Sequence, residues 1–115
     1  MEESILRSVA KIIGITEDYK VFDPDLIMHI NAMLAVLYQL GAISNSNFAI
    51  SDDSTTWGDV LRSSNLLSPA LTYVALRVRL IFDPPSSSSA AQSFKETADE
   101  LAWRLTVTDD ELNNG

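Results

Sequence analysis

The chain of 115 residues has no cysteine, a single histidine and four glycines that are isolated from one another. The absence of cysteine excludes disulfides, thiolate catalysis and cysteine-ligated metals. Isolated glycines cannot form a glycine-rich phosphate-binding loop. No nucleophile motif surrounds His29, and no set of metal ligands recurs at helical spacing. The sequence therefore predicts neither an enzyme nor a protein that depends on a cofactor.

Positive charge is also scarce, with 8 Lys and Arg against 16 Asp and Glu and a net charge of −8. A nucleic-acid grip requires clustered cations, so this balance argues against DNA or RNA binding, although DNA could slide past such a surface without adhering. The start, Met1-Glu2-Glu3-Ser4, is unlike a signal peptide, which predicts synthesis in the cytoplasm. The apolar share of 46% is high for so small a domain. We expect part of that surface to be covered by other copies of the chain or by a partner.

Hydrophobic periodicity predicts an all-α fold, a small single-domain helical bundle with about four main helices, one short helix and a long central loop. Ser4 is placed to cap the first helix and Gly14 to end it, while Ile5, Val9 and Ile12 share its apolar face. The predicted helices cover residues 4–13, 23–40, 57–62, 69–82 and 90–105, and residues 108–115 are predicted to form an acidic, flexible tail.

Two later helices begin with a capping residue followed by proline, Asp23-Pro24 and Ser68-Pro69, and Asp83-Pro84-Pro85 ends the second of them. From Leu26 to Ser51 there is no charged side chain apart from the titratable His29. Such an apolar helix is either the centre of the core or a membrane span. In the first case we expect His29 to be buried and hydrogen-bonded.

In the last helix, Phe94, Ala98, Leu101 and Leu105 align on one core-facing stripe. Trp103 lies nearly opposite, among Glu96, Asp99 and Val107, so it is either an anchor for another protein or covered by the first helix or the tail. Arg77 and Arg79 lie on different sides of the preceding helix, where they either complement its C-terminal end or pair with acidic groups of a neighbour. The candidate interface residues are therefore Trp103, Arg77, Arg79, Glu96 and Asp99.

Five stretches in this order resemble the head–tail connector (adaptor) family of tailed bacteriophages. The resemblance covers about Ser4 to Val107, and it rests on the order and spacing of short pieces, each of which is weak alone. The pieces are Ser4-Ile5-Leu6 with Ile12-Ile13-Gly14-Ile15, Phe22-Asp23-Pro24-Asp25-Leu26-Ile27-Met28-His29-Ile30-Asn31, Trp57-Gly58-Asp59-Val60-Leu61, Tyr73-Val74-Ala75-Leu76-Arg77-Val78-Arg79-Leu80-Ile81-Phe82-Asp83-Pro84-Pro85, and Glu100-Leu101-Ala102-Trp103-Arg104-Leu105.

The resemblance implies a structural virion protein of the neck, with residues 1–107 as the connector domain. Such connectors form a closed ring of about twelve copies beneath the portal protein. The ring extends the DNA channel without binding DNA specifically, and it docks the stopper or tail-completion protein. No catalytic, cofactor or metal site is implied.

Two other classes of protein remain open at this point. A single-pass membrane protein would use Leu26 to Ile43 as its span, but His29, Asn31 and Gln39 would then lie in lipid, and no basic residue closely flanks either end. A small helical interaction module, unrelated to virions, would bind one partner and form no ring.

Overall fold

Five α-helices and one 3₁₀ turn follow one another in the part of the chain that the structure describes. The structure, a computed structural model, describes residues 4–16 and 18–114, with side chains up to residue 106. Within these residues there are two isolated backbone bridges and no strand, so the all-α prediction is confirmed. The helices are α1 (Ile5–Ile12), α2 (Asp23–Gln39), α3 (Trp57–Val60), α4 (Leu67–Phe82) and α5 (Ser88–Asn114), and the 3₁₀ turn Ser64–Leu66 immediately precedes α4.

The first helix begins and ends as its capping residues predict. The Oγ of Ser4 accepts a hydrogen bond from the N–H of Arg7 at 3.2 Å, and Gly14 follows the helix with a φ of +92°. Positive φ favours glycine because a Cβ would clash with the backbone there. Ile5 and Val9 are buried, whereas Ile12 is exposed, because the buried face is centred on Leu6, Val9 and Ile13.

The apolar helix α2 lies in the core along one face only. Leu26, Ile30 and Leu37 are fully buried, while Met28 on the other side is 60% exposed. The prediction for His29 is wrong: its side chain is half-buried and makes no hydrogen bond within the described part of the chain. α2 presents a second face to solvent because so thin a molecule, with extents of 42 × 34 × 18 Å, cannot surround every side of a helix.

Asp23 does not cap α2 as its position before a proline predicts. The capping position is Phe22, which offers no side-chain acceptor, and Asp23 is the first helical residue. Its Oδ2 lies 2.5 Å from Nη2 of Arg7, and both side chains are largely buried. Arg7 also lies 3.7 Å from a carboxylate oxygen of Asp53. Arg7 of α1 therefore competes with the backbone N–H groups of α2 for the carboxylate of Asp23. The ion pair between Arg7 and Asp23 joins α1 to the start of α2.

The long central loop is held to the bundle by several polar contacts. Trp57 is fully buried, and its Nε1 donates to the Oγ of Ser8 at 2.8 Å. The side-chain amide of Asn31 pairs with both backbone groups of Ile50, accepting from its N–H at 2.8 Å and donating to its carbonyl at 3.0 Å. Thr56 precedes the short helix α3, where its N–H donates to the carboxylate of Asp59. These contacts give a connection without regular structure a defined path over the core.

Helix α4 is the centre of the bundle, because it contacts α1, α2 and α5. It starts two residues earlier than its predicted first residue, and Ser63, not Ser68, accepts the capping hydrogen bond of the preceding 3₁₀ turn. It ends at Phe82, where Asp83 and two prolines stop it as predicted. Ser87 then caps α5, since its Oγ accepts from the N–H of Ala90 at 3.0 Å.

The last helix extends to Asn114, so its predicted end at Leu105 is wrong. The backbone over residues 108–114 is part of this helix. The physical reason is that no glycine or proline interrupts the chain between Pro85 and Gly115. With 27 residues, α5 is about 40 Å long, against about 24 Å for the 16 residues of α4.

Candidate protein–protein interface

A groove between α4 and α5 brings together two of the predicted interface residues. It has a volume of about 300 Å³ and lies on the side of the α4–α5 pair that carries both positive and negative charge. Arg77 and Asp99, expected from sequence, face each other across it. Its described lining residues are Arg77, Leu80 and Ile81 of α4 with Lys95 and Asp99 of α5.

The two cations of this groove lack partners in the subunit. Neither Arg77 nor Lys95 forms an ion pair or hydrogen bond with any residue that the structure describes. Asp99 supplies one negative charge at the rim, which leaves a local excess of one positive charge. In a chain with net charge −8, such a site is complementary to an acidic group from another molecule.

Tyr73 lies close enough to this groove for both charges to act on it. Burial raises the pKa of the Tyr73 phenol above its ordinary value of 10.0, because the phenolate would be poorly solvated there. The positive charge of Arg77 lowers the pKa of Tyr73, and the negative charge of Asp99 raises it. The charges that line the groove therefore also act on a buried phenol of α4.

Trp103 is exposed, with 66% of its surface open to solvent. It lies one helical turn beyond Asp99, and α5 packs mainly against α4, so nothing in the described part of the chain covers its outer face. Of the two explanations offered by the sequence, coverage by the first helix is wrong. The side chain of Val107 and those that follow lie outside the described residues. An exposed indole on a charged helix face is the usual composition of an interface anchor.

The remaining two predicted interface residues make contacts within the subunit. The guanidinium of Arg79 lies 5.1 Å from the centre of the Phe94 ring, which joins α4 to α5, and its Nε is buried without a hydrogen bond. The carboxylate of Glu96 accepts a hydrogen bond from Gln92 at 3.3 Å on the exposed face of α5. Arg77 and Arg79 lie on different sides of α4, and only Arg77 reaches the groove.

Several surface residues are not identified by sequence reasoning. On α5, Lys95 precedes Asp99 by one helical turn, and on α4, Ile81 follows Arg77 by one helical turn. Helical spacing alone therefore places the two members of each pair on one face of their helix. Only the packing of α5 on α4 brings the two pairs to one groove.

A second surface, an aromatic patch at the junction of α2 and α4, consists of Tyr19, Phe22 and Phe82. Neighbouring rings of this patch are centred 5.4 Å and 5.0 Å apart.

Over the described residues, no three His, Cys, Asp or Glu side chains come together in a way that could hold a metal ion. A larger cleft of about 650 Å³ runs beside α1, with Arg7 and Lys11 among its lining residues. None of the described helices has the length and hydropathy needed to cross a membrane.

The comparison with protein families agrees with this geometry. Residues 5–112, nearly the whole chain, match the family described as phage connector protein. The chain belongs to the phage connector family. Its members are structural, so the family places this chain among proteins that join parts of a bacteriophage particle. No curated protein and no solved structure matches the chain significantly. The contacts of this connector with other proteins are therefore inferred from its own fold and surfaces.

Proposed function

We propose that this connector is a neck subunit that assembles as a ring below the portal protein of a tailed phage. The observation that carries the proposal is the family match, which includes every helix of the fold. A ring of about twelve copies would extend the DNA channel and provide the docking surface for the stopper or tail-completion protein. The protein acts through its interfaces and has no substrate.

The distribution of exposed apolar side chains supports a protein with several interfaces. A ring subunit between portal and tail needs contacts to two neighbours, to the portal and to the next neck protein. Large apolar side chains are exposed on α1, α2, α4, α5 and the loop between α1 and α2, and exposed apolar surface of this kind marks interaction sites. They are Ile12, Tyr19, Val21, Met28, Tyr38, Ile81 and Trp103.

Within this proposal, Trp103 is the principal anchor, with Asp99 and Glu96 beside it on α5. Tryptophan buries a large area at little entropic cost, so a single exposed indole can dominate an interface. Arg79 has the lesser part, since its charge already rests on Phe94. We expect Trp103→Ala to reduce attachment to portal-bearing heads while leaving the fold intact, because this side chain contributes little to the core.

The test is electron microscopy of portal-bearing heads mixed with the purified protein. The expected result is a cyclic ring between portal and tail into which the α1–α5 fold fits, with Trp103 at a contact. The matched control is Glu100→Ala, and this variant should attach normally. Glu100 is exposed, lies one helical turn from the Trp103 indole and pairs with Arg104 of the same helix. A neck without density for this fold would falsify the proposal and favour a helical interaction module outside the virion.

A further inference from the structure

We propose that the acidic end of α5, residues 108–114, docks into the α4–α5 groove of a neighbouring copy. The proposal assigns a subunit contact within the ring, and so it rests on the proposed function. It joins two features, a groove with two unpaired cations and a helix end with three acidic residues. Neither has an explanation within one copy of the chain.

The groove offers charge together with apolar surface. Arg77 and Lys95 stand without acidic partners in the described part of their own subunit, and Leu80 and Ile81 lie between them. Ile81 is 52% exposed, so the apolar part is open to a visiting side chain. An occupant that fits must bring carboxylates to the cations and at least one apolar side chain to Ile81.

The end of α5 has this composition. The sequence Asp109-Asp110-Glu111-Leu112 places three carboxylic acids directly before a leucine, and the last turn contains no basic residue. Carboxylates at the C-terminal end of a helix are unfavourable, because the helix macrodipole is already negative there. Cations supplied from outside relieve this repulsion, so the end of α5 is better accommodated against Arg77 and Lys95 than in water.

The contact must form between two copies. Lys95 and Asp110 lie on the same continuous helix, 15 residues apart, which is about 22 Å along its axis. The end of α5 therefore cannot fold back into the groove of its own subunit. Because the groove and the helix end are different surfaces, the contact is head-to-tail, and head-to-tail contacts close into rings when the rotation allows.

Cross-linking tests this contact directly, because the natural chain has no cysteine. One preparation has Lys95→Cys, a second, tagged preparation has Asp110→Cys, and a short bismaleimide is added to their mixture. The mixture is tested both concentrated in solution and bound to portal-bearing heads. Met28→Cys, an exposed residue on α2, replaces Lys95→Cys in the control mixture.

We expect a mixed dimer joining positions 95 and 110 in at least one of the two settings, several-fold above the Met28 control. At about 1 M salt, where the Debye length falls to about 3 Å, the yield should drop several-fold. Charge reversal of Arg77 to Glu in the Lys95→Cys preparation should abolish the contact, and reversal of Asp109 and Glu111 to Lys in the Asp110→Cys preparation should restore it.

Two results overturn the inference. The first is a ring on the heads in which cysteines at positions 95 and 110 cross-link no better than cysteines at positions 28 and 110. The second is a cross-link whose yield is insensitive to both salt and charge reversal. In either case the ring itself remains, so the proposed function survives. Failure of the protein to bind heads, together with a cross-link in solution, contradicts the proposed function and leaves this self-association standing.

Discussion

At the scale of single residues, the two tryptophans of the chain divide the work between folding and binding. Trp57 is fully buried, and its indole N–H donates to Ser8, whose hydroxyl in turn donates to the carbonyl of Ile5. Trp103 is exposed on α5 and has no such contacts within the described residues. The same side chain thus closes the central loop over the core in one place and, under the proposed function, faces a partner in the other.

Trp57→Phe should lower the free energy of unfolding by about 2 kcal/mol. It removes the donor to Ser8 and leaves a small cavity in the core, and each effect costs energy. Trp103→Phe is the matched control and should change stability by less than about 0.5 kcal/mol, as surface substitutions usually do. Urea unfolding followed by circular dichroism measures both without relying on tryptophan fluorescence. Equal losses for the two variants would contradict this division of roles.

Tyr73 predicts how stability responds to alkaline pH. Burial raises the pKa of its phenol in the folded state, so above about pH 10 the unfolded chain loses this proton first. The contribution of Tyr73 to the free energy of unfolding is therefore complete below the pKa of the phenol in the unfolded chain. This contribution is lost as the pH rises through the pKa of the phenol in the folded state. The slope from one proton is at most about 1.4 kcal/mol per pH unit.

Tyr73→Phe should reduce this alkaline loss of stability. The substitution is conservative because the Tyr73 hydroxyl makes no hydrogen bond within the described residues. Unfolding by urea at several pH values between neutral and alkaline gives the two curves. Tyr19→Phe, at a tyrosine on the surface, controls for the removal of a hydroxyl. If the natural chain and Tyr73→Phe lose stability in parallel, burial of Tyr73 is not the cause.

At the scale of elements, one side chain holds the central loop against α2. Asn31 satisfies both the N–H and the carbonyl of Ile50, a residue whose side chain is buried. Asn31→Ala should cost about 2 kcal/mol, because two backbone groups lose their partners. Hydrogen exchange at the Ile50 amide should accelerate at the same time. Asn45→Ala, which removes an exposed turn contact, is the control and should leave that amide protected. Unchanged exchange at Ile50 in Asn31→Ala contradicts this account.

Helix boundaries follow from the sequence where local chemistry decides them and fail where distant groups compete. Ser4, Gly14 and the prolines after Asp83 mark ends that depend on adjacent backbone only, and the structure has them there. Asp23 has the correct type and place for a cap, yet Arg7 takes its carboxylate. No local rule contains that cation, because it comes from another helix.

The candidate site shows the same limit. The exposure of Trp103 follows from helical periodicity, since it lies opposite the stripe that contains Ala98 and Leu105. The grouping of Arg77 with Lys95 does not follow from helical periodicity. The angle at which α5 crosses α4 decides which side chains share a groove. The end of α5 was placed too early because its acidic composition is typical of a flexible tail, whereas its lack of glycine and proline permits a helix.

At the scale of the whole molecule, the net charge of −8 bears on how the proposed ring of subunits would meet DNA. Each described cation is either engaged within the subunit, as Arg7 is with Asp23, or dispersed on the surface, so no cluster is large enough to grip phosphates. Repeating the subunit around a channel multiplies the repulsion. Passing DNA would then be kept from adhering to the wall, which suits a conduit.

We therefore expect no binding of the connector to a short fluorescent DNA duplex in anisotropy measurements at low salt. Proteins that bind DNA non-specifically have Kd values of roughly 10⁻⁴ to 10⁻⁶ M, so protein at about 100 μM gives a clear answer. Low salt is the most demanding condition, because it strengthens any contact between cations and phosphates. The variant with Glu96, Asp99 and Glu100 changed to Lys, which builds a cationic strip on the exposed face of α5, should bind and so controls for sensitivity. Binding by the natural chain would mean that local charge at Arg77 and Lys95 outweighs the net charge, and that the groove receives phosphates instead of carboxylates.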